Sequence, residues 1–235
     1  MSLSPLPSSR LAATIWRRGT APTPWVYFQT GNHSVAEHSY DYSRWGHAVY
    51  ANGSRDIDLR PRAGSAIAAL YDQVDTGAGL TDQRLRIYSQ ATDGVTTSRD
   101  SGAGGWCAPH VVYHADTISD IGIVARRMAN MTLERVSLLF SAPASAEAGA
   151  EADDSAGPLQ ALTWSIIAGA FALAPEVVFA GHARAAVTGA DAGADGSAAY
   201  FQLRNETNLR QAWLSDTDVW SVTDARIGAP DSNTG

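Results

Sequence analysis

The chain has a single cysteine, Cys107, and no lysine among its 235 residues. One thiol excludes an intramolecular disulfide and any Cys-x-x-Cys metal or redox motif. Arginine alone carries the positive charge, and the formal net charge is -7. That balance argues against nucleic acid as the main partner, because phosphate binding needs a basic stripe. No apolar run approaches the roughly 20 residues of a membrane-spanning helix. The longest, 166–179, is short and is broken by Gly169 and Pro175. The opening MSLSPLPSSR lacks the apolar stretch of a secretory signal. The expectation is a protein without membrane insertion, cytoplasmic or released without a classical signal peptide.

Catalytic signatures are missing too. There is no G-x-S-x-G, no Walker A, no G-x-G-x-x-G after a strand and no H-E-x-x-H. The six histidines show no metal-binding spacing; HVVYH places His110 and His114 on one face of a strand or helix, which is weak evidence for zinc. Neither a metal nor another cofactor is expected. Acidic residues cluster between Glu147 and Asp154 rather than being spread one per repeat, which speaks against a paired-carboxylate glycosidase.

What the sequence does hold is a repeat. Hydrophobic residues are 45% of the chain, enough for a core, and Gly, Ser, Thr and Ala are abundant, which leans toward a turn-rich all-β protein. YFQTGNHSVAEHSYDYSRW (27–45), LRIYSQATDGVTTSRDSGAGGW (85–106) and SAAYFQLRNETNLRQAWLSDTDVW (197–220) share one plan. Each is an aromatic strand ending in Gln, a polar turn, a second alternating strand, then Trp. The separations are 16 residues from Gln29 to Trp45, 16 from Gln90 to Trp106 and 18 from Gln202 to Trp220. A poorer copy begins at Arg135 with RVSLLFSAP and resumes at LQALTW, ending on Trp164, with an Ala/Glu/Asp/Gly insertion between. Small apolar strands precede the units: RLAATIW at Arg10, SAIAALY at Ser65, DIGIVAR at Asp120 and VVFAGHA at Val177. They start about 55 residues apart.

Repeats of this length with several short strands each predict a β-propeller of about four blades, over 9–60, 61–115, 116–173 and 174–228, in one domain of 1–235. One blade cannot bury both its faces, so stacking of neighbours supplies the core. A β-sandwich with incidental likeness between hairpins is the alternative.

These units resemble the repeat of the fungal fucose-specific lectins. The matching text is LAATIW, WVYFQ, VAEHSYD and Trp45 in the first unit. SAIAA, LRIYSQ, TTSRD and Trp106 match in the second, and AAYFQ, NLRQAWLSD and Trp220 in the fourth. The resemblance covers most of the chain in short, degenerate motifs. It implies sugar pockets between adjacent blades, each with an Arg from the second strand and a Glu from the third. Such a pair sets a donor fork beside a carboxylate acceptor. Aromatic rings of the next blade would form the apolar wall against the sugar.

Carried over on that resemblance, the pattern is broken. The first unit has Glu37 at the acid position but Trp25 at the Arg position. The second has Arg86, with Thr96 or Thr97 at the acid position. The third has Arg135 near the Arg position and Gln160 as nearest acceptor. The fourth has Ala198 and Gln211. The aromatic wall would comprise Tyr40, Trp45, Trp106, Trp164 and Trp220. The implied function is a non-catalytic lectin for fucose or fucosylated glycans, its candidate residues Glu37, Arg86, Tyr40, Trp45, Trp106, Gln211 and Trp220. Two other readings stay open: a diverged propeller serving as a protein-interaction module, and, more remotely, a propeller glycosidase. Whether a ring closes within one chain or in a homo-oligomer is not set by the repeat.

Overall fold

The computed structural model describes residues 7, 9–18, 21–30, 34–41, 44–47, 61–75, 81–91, 95–102, 105–106, 110–114, 121–127, 133–141, 157–165, 170–171, 176–191, 197–203, 209–215, 217 and 219–227. Every regular element among them is a strand. The chain divides into two compact units, Met1–Thr117 and Ile118–Gly235.

The first unit holds two antiparallel sheets. One is the meander β1 (Leu11–Arg18), β2 (Ala21–Gln29), β3 (Val35–Asp41) and β4 (Arg44–His47). The other is β5 (Ile67–Asp75), β6 (Thr81–Gln90), β7 (Val95–Gly102) and β8 (Gly105–Trp106), with β9 (His110–His114) also paired to β7. Side chains alternate between sheet faces. In β2, Trp25, Tyr27 and Gln29 share one face, while Pro24, Val26 and Phe28 share the other. Pro22 and Pro24 fit in this strand because pairing with β3 begins only at Trp25, opposite Ser39.

The faces stack in a fixed sense. Ala12, Trp25, Tyr27 and Val35 from one face of the first sheet pack against Ile67, Tyr71, Leu85 and Ile87 from the second. The Tyr71 amide donates to Thr14 Oγ1 across the junction (3.2 Å). The repeated Gln has a structural task here. Gln29 Nε2 donates to the Arg62 carbonyl (2.8 Å) and its Oε1 accepts from the Gly64 amide (2.9 Å). The residues held are a turn closed by the Ser65 amide donating to the Arg62 carbonyl. Gly64 sits at its third position with φ 73°, a value that favours glycine. Gln29 therefore ties the end of β2 to the entry of β5.

The second unit forms one eight-stranded sheet in the order β10 (Ile121–Arg127), β11 (Leu133–Ser141), β12 (Pro158–Ser165), β14 (Glu176–Asp191), β15 (Ser197–Leu203), β16 (Leu209–Leu214) and β17 (Trp220–Ile227). β13 (Ala170–Phe171) pairs with β12 off this path. The long β14 serves two repeats. Its first half pairs with β12 in the register that β9 keeps with β7: Leu159 faces Phe179, Gln160 faces Val177 and Ala161 faces Glu176, as Thr96, Thr97 and Ser98 face Tyr113, Val111 and His110. Its second half, from Ala183, pairs with β15. The expected apolar start of the fourth repeat at Val177 is thus the last strand of the third, and HVVYH is its counterpart in the second. The stacking sense recurs: Val124, Leu139, Leu159 and Ala161 of the third repeat pack against Ala199, Phe201 and Ala212 of the fourth. The Ser197 hydroxyl donates to the Ala125 carbonyl (3.0 Å).

Candidate functional site

Strand registers align the four repeats residue by residue. Glu37 faces Tyr27 across β2 and β3. The matching pairs are Tyr88 with Ser98, Leu139 with Ala161 and Tyr200 with Gln211. The acid position of the second repeat is therefore Ser98, not Thr96 or Thr97, and that of the third is Ala161, not Gln160. Four residues before the strand-ending Gln lies the arginine position. It holds Trp25, Arg86, Ser137 and Ala198 in turn, so Arg135 lies two residues early. The closing aromatic follows the same logic. Trp45 faces Tyr40, Trp106 faces Ser101, Phe171 faces Trp164 and Trp220 faces Leu214. Phe171 is the third repeat's aromatic and Trp164 corresponds to Tyr40. The insertion after Ser141 lengthens the Gln-to-Trp spacing and hid Phe171 from the sequence reading.

Glu37 sits at the junction of the two sheets of the first unit. It is 7% exposed, and Tyr27 is its cross-strand neighbour. One carboxylate oxygen, Oε2, is buried without a hydrogen bond among the described residues. Burial raises its pKa from an ordinary 4.5 to about 7, only partly offset by the nearby Tyr27. A desolvated carboxylate with no cation to offset its burial behaves this way. Trp25, its diagonal neighbour on the same face, supplies apolar wall where arginine would supply charge. Trp106 from the second sheet meets Tyr27 edge-on, ring centroids 6.5 Å apart. Glu37 and Trp106 thus converge on Tyr27, one from each sheet.

The remaining predicted residues fall elsewhere. Tyr40 lies on the opposite face of the first sheet from Glu37, and Trp45 is its register partner. Arg86 is half-buried on the face of the second sheet that carries Tyr88 and Gln90, away from the face that meets Tyr27. Gln211 is half-buried beside Tyr200 on one face of the last sheet. Trp220 packs with the Phe201 cluster on the other. In the second unit's junction the acid and tyrosine positions are both apolar, as Ala161 and Leu139. Arg135 there donates through Nη2 to Thr163 Oγ1 (3.3 Å), which also shares a hydrogen bond with the Ser137 hydroxyl (3.2 Å). Among the described residues no group of three or more His, Cys, Asp or Glu is placed to hold a metal ion.

No protein-family model and no curated protein sequence matches the chain. Solved structures do. The fucose-specific lectin from Aleuria aurantia superposes with a TM-score of 0.68 at 16% identity, over 98% of this chain and 67% of its own. AofleA from Arthrobotrys oligospora matches at 0.65 and 15%, over 95% of this chain and 58% of its own. The SapL1 lectin, solved with alpha methyl fucoside, matches at 0.62 and 15%. The chain has the β-propeller fold of these lectins. It spans about two thirds of the Aleuria lectin and 58% of the Arthrobotrys one. A family 43 glycoside hydrolase from Bacillus subtilis shares the fold more distantly, with a TM-score of 0.52 at 9% identity.

Proposed function

We propose that the chain is a non-catalytic lectin for fucose or fucosylated glycans, with its best-preserved pocket at the Glu37 junction. One observation carries this reading. In a fold shared with fucose lectins, a nearly buried carboxylate occupies the acid position between two stacked sheets, and an aromatic from the neighbouring sheet closes on the same tyrosine. Glu37 accepts sugar hydroxyls beside Tyr27, and Trp106 and Trp25 present flat apolar surface to the sugar's C–H face. Weak single sites gain strength when a branched glycan engages more than one of them. Calorimetric titration with L-fucose tests the reading: saturable binding is expected, and its loss in Glu37→Ala. A flat titration at millimolar sugar contradicts it.

A specific observation favours a second reading, a propeller that has lost sugar binding and serves as a protein-interaction module. Trp25 stands at the arginine position beside Glu37, and among the described residues no junction brings an arginine and an acid together at the two motif positions. Losing one partner of a buried hydrogen-bond set costs about 1–3 kcal/mol, enough to erase a weak sugar site. A chain that ignores a fucosylated glycan array but captures a defined protein partner would establish this alternative.

A further inference from the structure

The junction between the third and fourth repeats keeps the plan of the Glu37 junction and changes its chemistry. Arg135, Ser137 and Leu139 share one face of β11, and Ala161 and Thr163 share the same face of β12. Leu139 and Ala161 on this face pack against Ala199 and Phe201 of the fourth repeat. At one end the junction is filled: the ring centroids of Phe179 and Phe201 lie 5.5 Å apart. The other end is polar. There Arg135 Nη2 donates to Thr163 Oγ1 (3.3 Å), and the Thr163 and Ser137 hydroxyls share a hydrogen bond (3.2 Å).

Trp220 stands at the level of this polar end. It faces Leu214, which faces Ser197, three residues before Tyr200. The position three residues before Leu139, the counterpart of Tyr200, is Val136, between Arg135 and Ser137. Trp220 is half-buried against the cluster that holds Leu139 and Ala161. Its Nε1 is buried without a hydrogen-bond partner among the described residues. The groups gathered here are donors. A guanidinium and an indole N–H cannot accept, and of the two coupled hydroxyls one keeps its proton whichever donates to the other. Where the first unit has the acceptor Glu37, this junction has Ala161. Glu134 lies on the other face of β11. Glu176, facing Ala161 from β14, is exposed, where solvent screens its charge.

We propose that this junction binds an anionic saccharide group, a carboxylate or a sulfate ester, between Arg135, Ser137, Thr163 and Trp220. A neutral sugar hydroxyl needs an acceptor as well as donors, so a set of donors satisfies it only in part. An anionic oxygen only accepts, and its bonds to arginine are of the stronger, charge-assisted kind. The indole ring beside the donors offers flat apolar surface to the sugar ring that carries the anion. The proposal deepens the glycan-binding reading by naming the ligand class of a second site, and it does not depend on the Glu37 pocket.

Titration of the full chain with D-glucuronate and with a sulfated N-acetylglucosamine, each beside its neutral parent sugar, tests it. At least one charged sugar is expected to bind about tenfold more tightly than its parent, the worth of one charge-assisted hydrogen bond. Which of the two binds separates carboxylate from sulfate ester. The Trp220 indole N–H resonance, assigned by its loss in Trp220→Phe, is expected to shift on binding. Arg135→Gln, with wild-type circular dichroism, is expected to lose the preference for the charged sugar, and Glu37→Ala to keep it. A chain that ignores fucose but holds the acidic sugar separates failure of the Glu37 pocket from failure here. If Arg135→Gln does not fold, Arg135→Lys keeps the charge without the planar fork and is expected to bind more weakly than wild type. Binding of neither charged sugar, equal binding of charged and parent sugars, binding of inorganic sulfate alone, or wild-type affinity in a folded Arg135 variant overturns the proposal.

Discussion

Glu37 is the residue on which most of the chemistry turns, and its protonation can be read in stability. A group whose pKa is raised from 4.5 to about 7 by burial binds more protons in the folded state than in the unfolded one across that interval. Stability therefore falls as pH rises from about 4.5 to about 7, by on the order of 3 kcal/mol at most, and the loss is complete above that range. Glu37→Gln should flatten this part of the profile in urea unfolding at pH 5, 6, 7 and 8. An unchanged slope would mean that Glu37 is not buried as described. Sugar binding should run the opposite way, strengthening through pH 7 as the carboxylate ionises and becomes a pure acceptor. Trp25→Arg returns a cation to the neighbouring position on the face. It should lower the Glu37 pKa and tighten fucose binding by about tenfold, the worth of a charge-assisted hydrogen bond. An unaltered affinity in a folded variant would show that position 25 does not reach the sugar. The acid at 37 and the tryptophan at 25 were legible in the sequence. The separation of Glu37 from Tyr40 was not, because three residues along a strand changes face and a motif alignment carries no face.

At the level of elements, the aromatic strand ending in Gln was the most readable feature, and the structure gives its end a purpose. The Gln29 side chain makes hydrogen bonds to both the Arg62 carbonyl and the Gly64 amide. Gln29→Ala should destabilise the fold by about 1–3 kcal/mol in denaturant unfolding, since it removes the Gly64 amide's acceptor and one donor to the Arg62 carbonyl. Gly64→Ala should cost roughly 1 kcal/mol or more, because φ of 73° disfavours a side chain. Equal stability of both variants and wild type would contradict the staple. Other elements were misread for physical reasons. Third strands without a glutamate, VTTSRDSG and PLQALTWS, gave nothing to fix their register, so Ser98 and Ala161 were each displaced by a residue or two. β14 looks like one repeat's opening strand, but its two halves pair with different repeats, and the shift in register falls inside a continuous strand.

For the molecule as a whole, an all-β propeller followed from repeat spacing and the Gln and Trp punctuation, and the solved fucose lectins share that fold at 15–16% identity. What spacing could not convey is how sheets pair off their faces, because burial of Ile67 or Phe201 depends on which sheet lies against them. The division into four units at 9–60, 61–115, 116–173 and 174–228 stays a proposal. The central claim is that a buried acid between stacked sheets serves a sugar. Isothermal titration of the full chain with alpha-methyl-L-fucoside at pH 8, beside Glu37→Ala, tests it most directly. The account predicts saturable binding by the wild type and loss of the sites contributed by Glu37 in the variant. Absence of binding in the wild type, or identical binding curves for the two proteins, would contradict it.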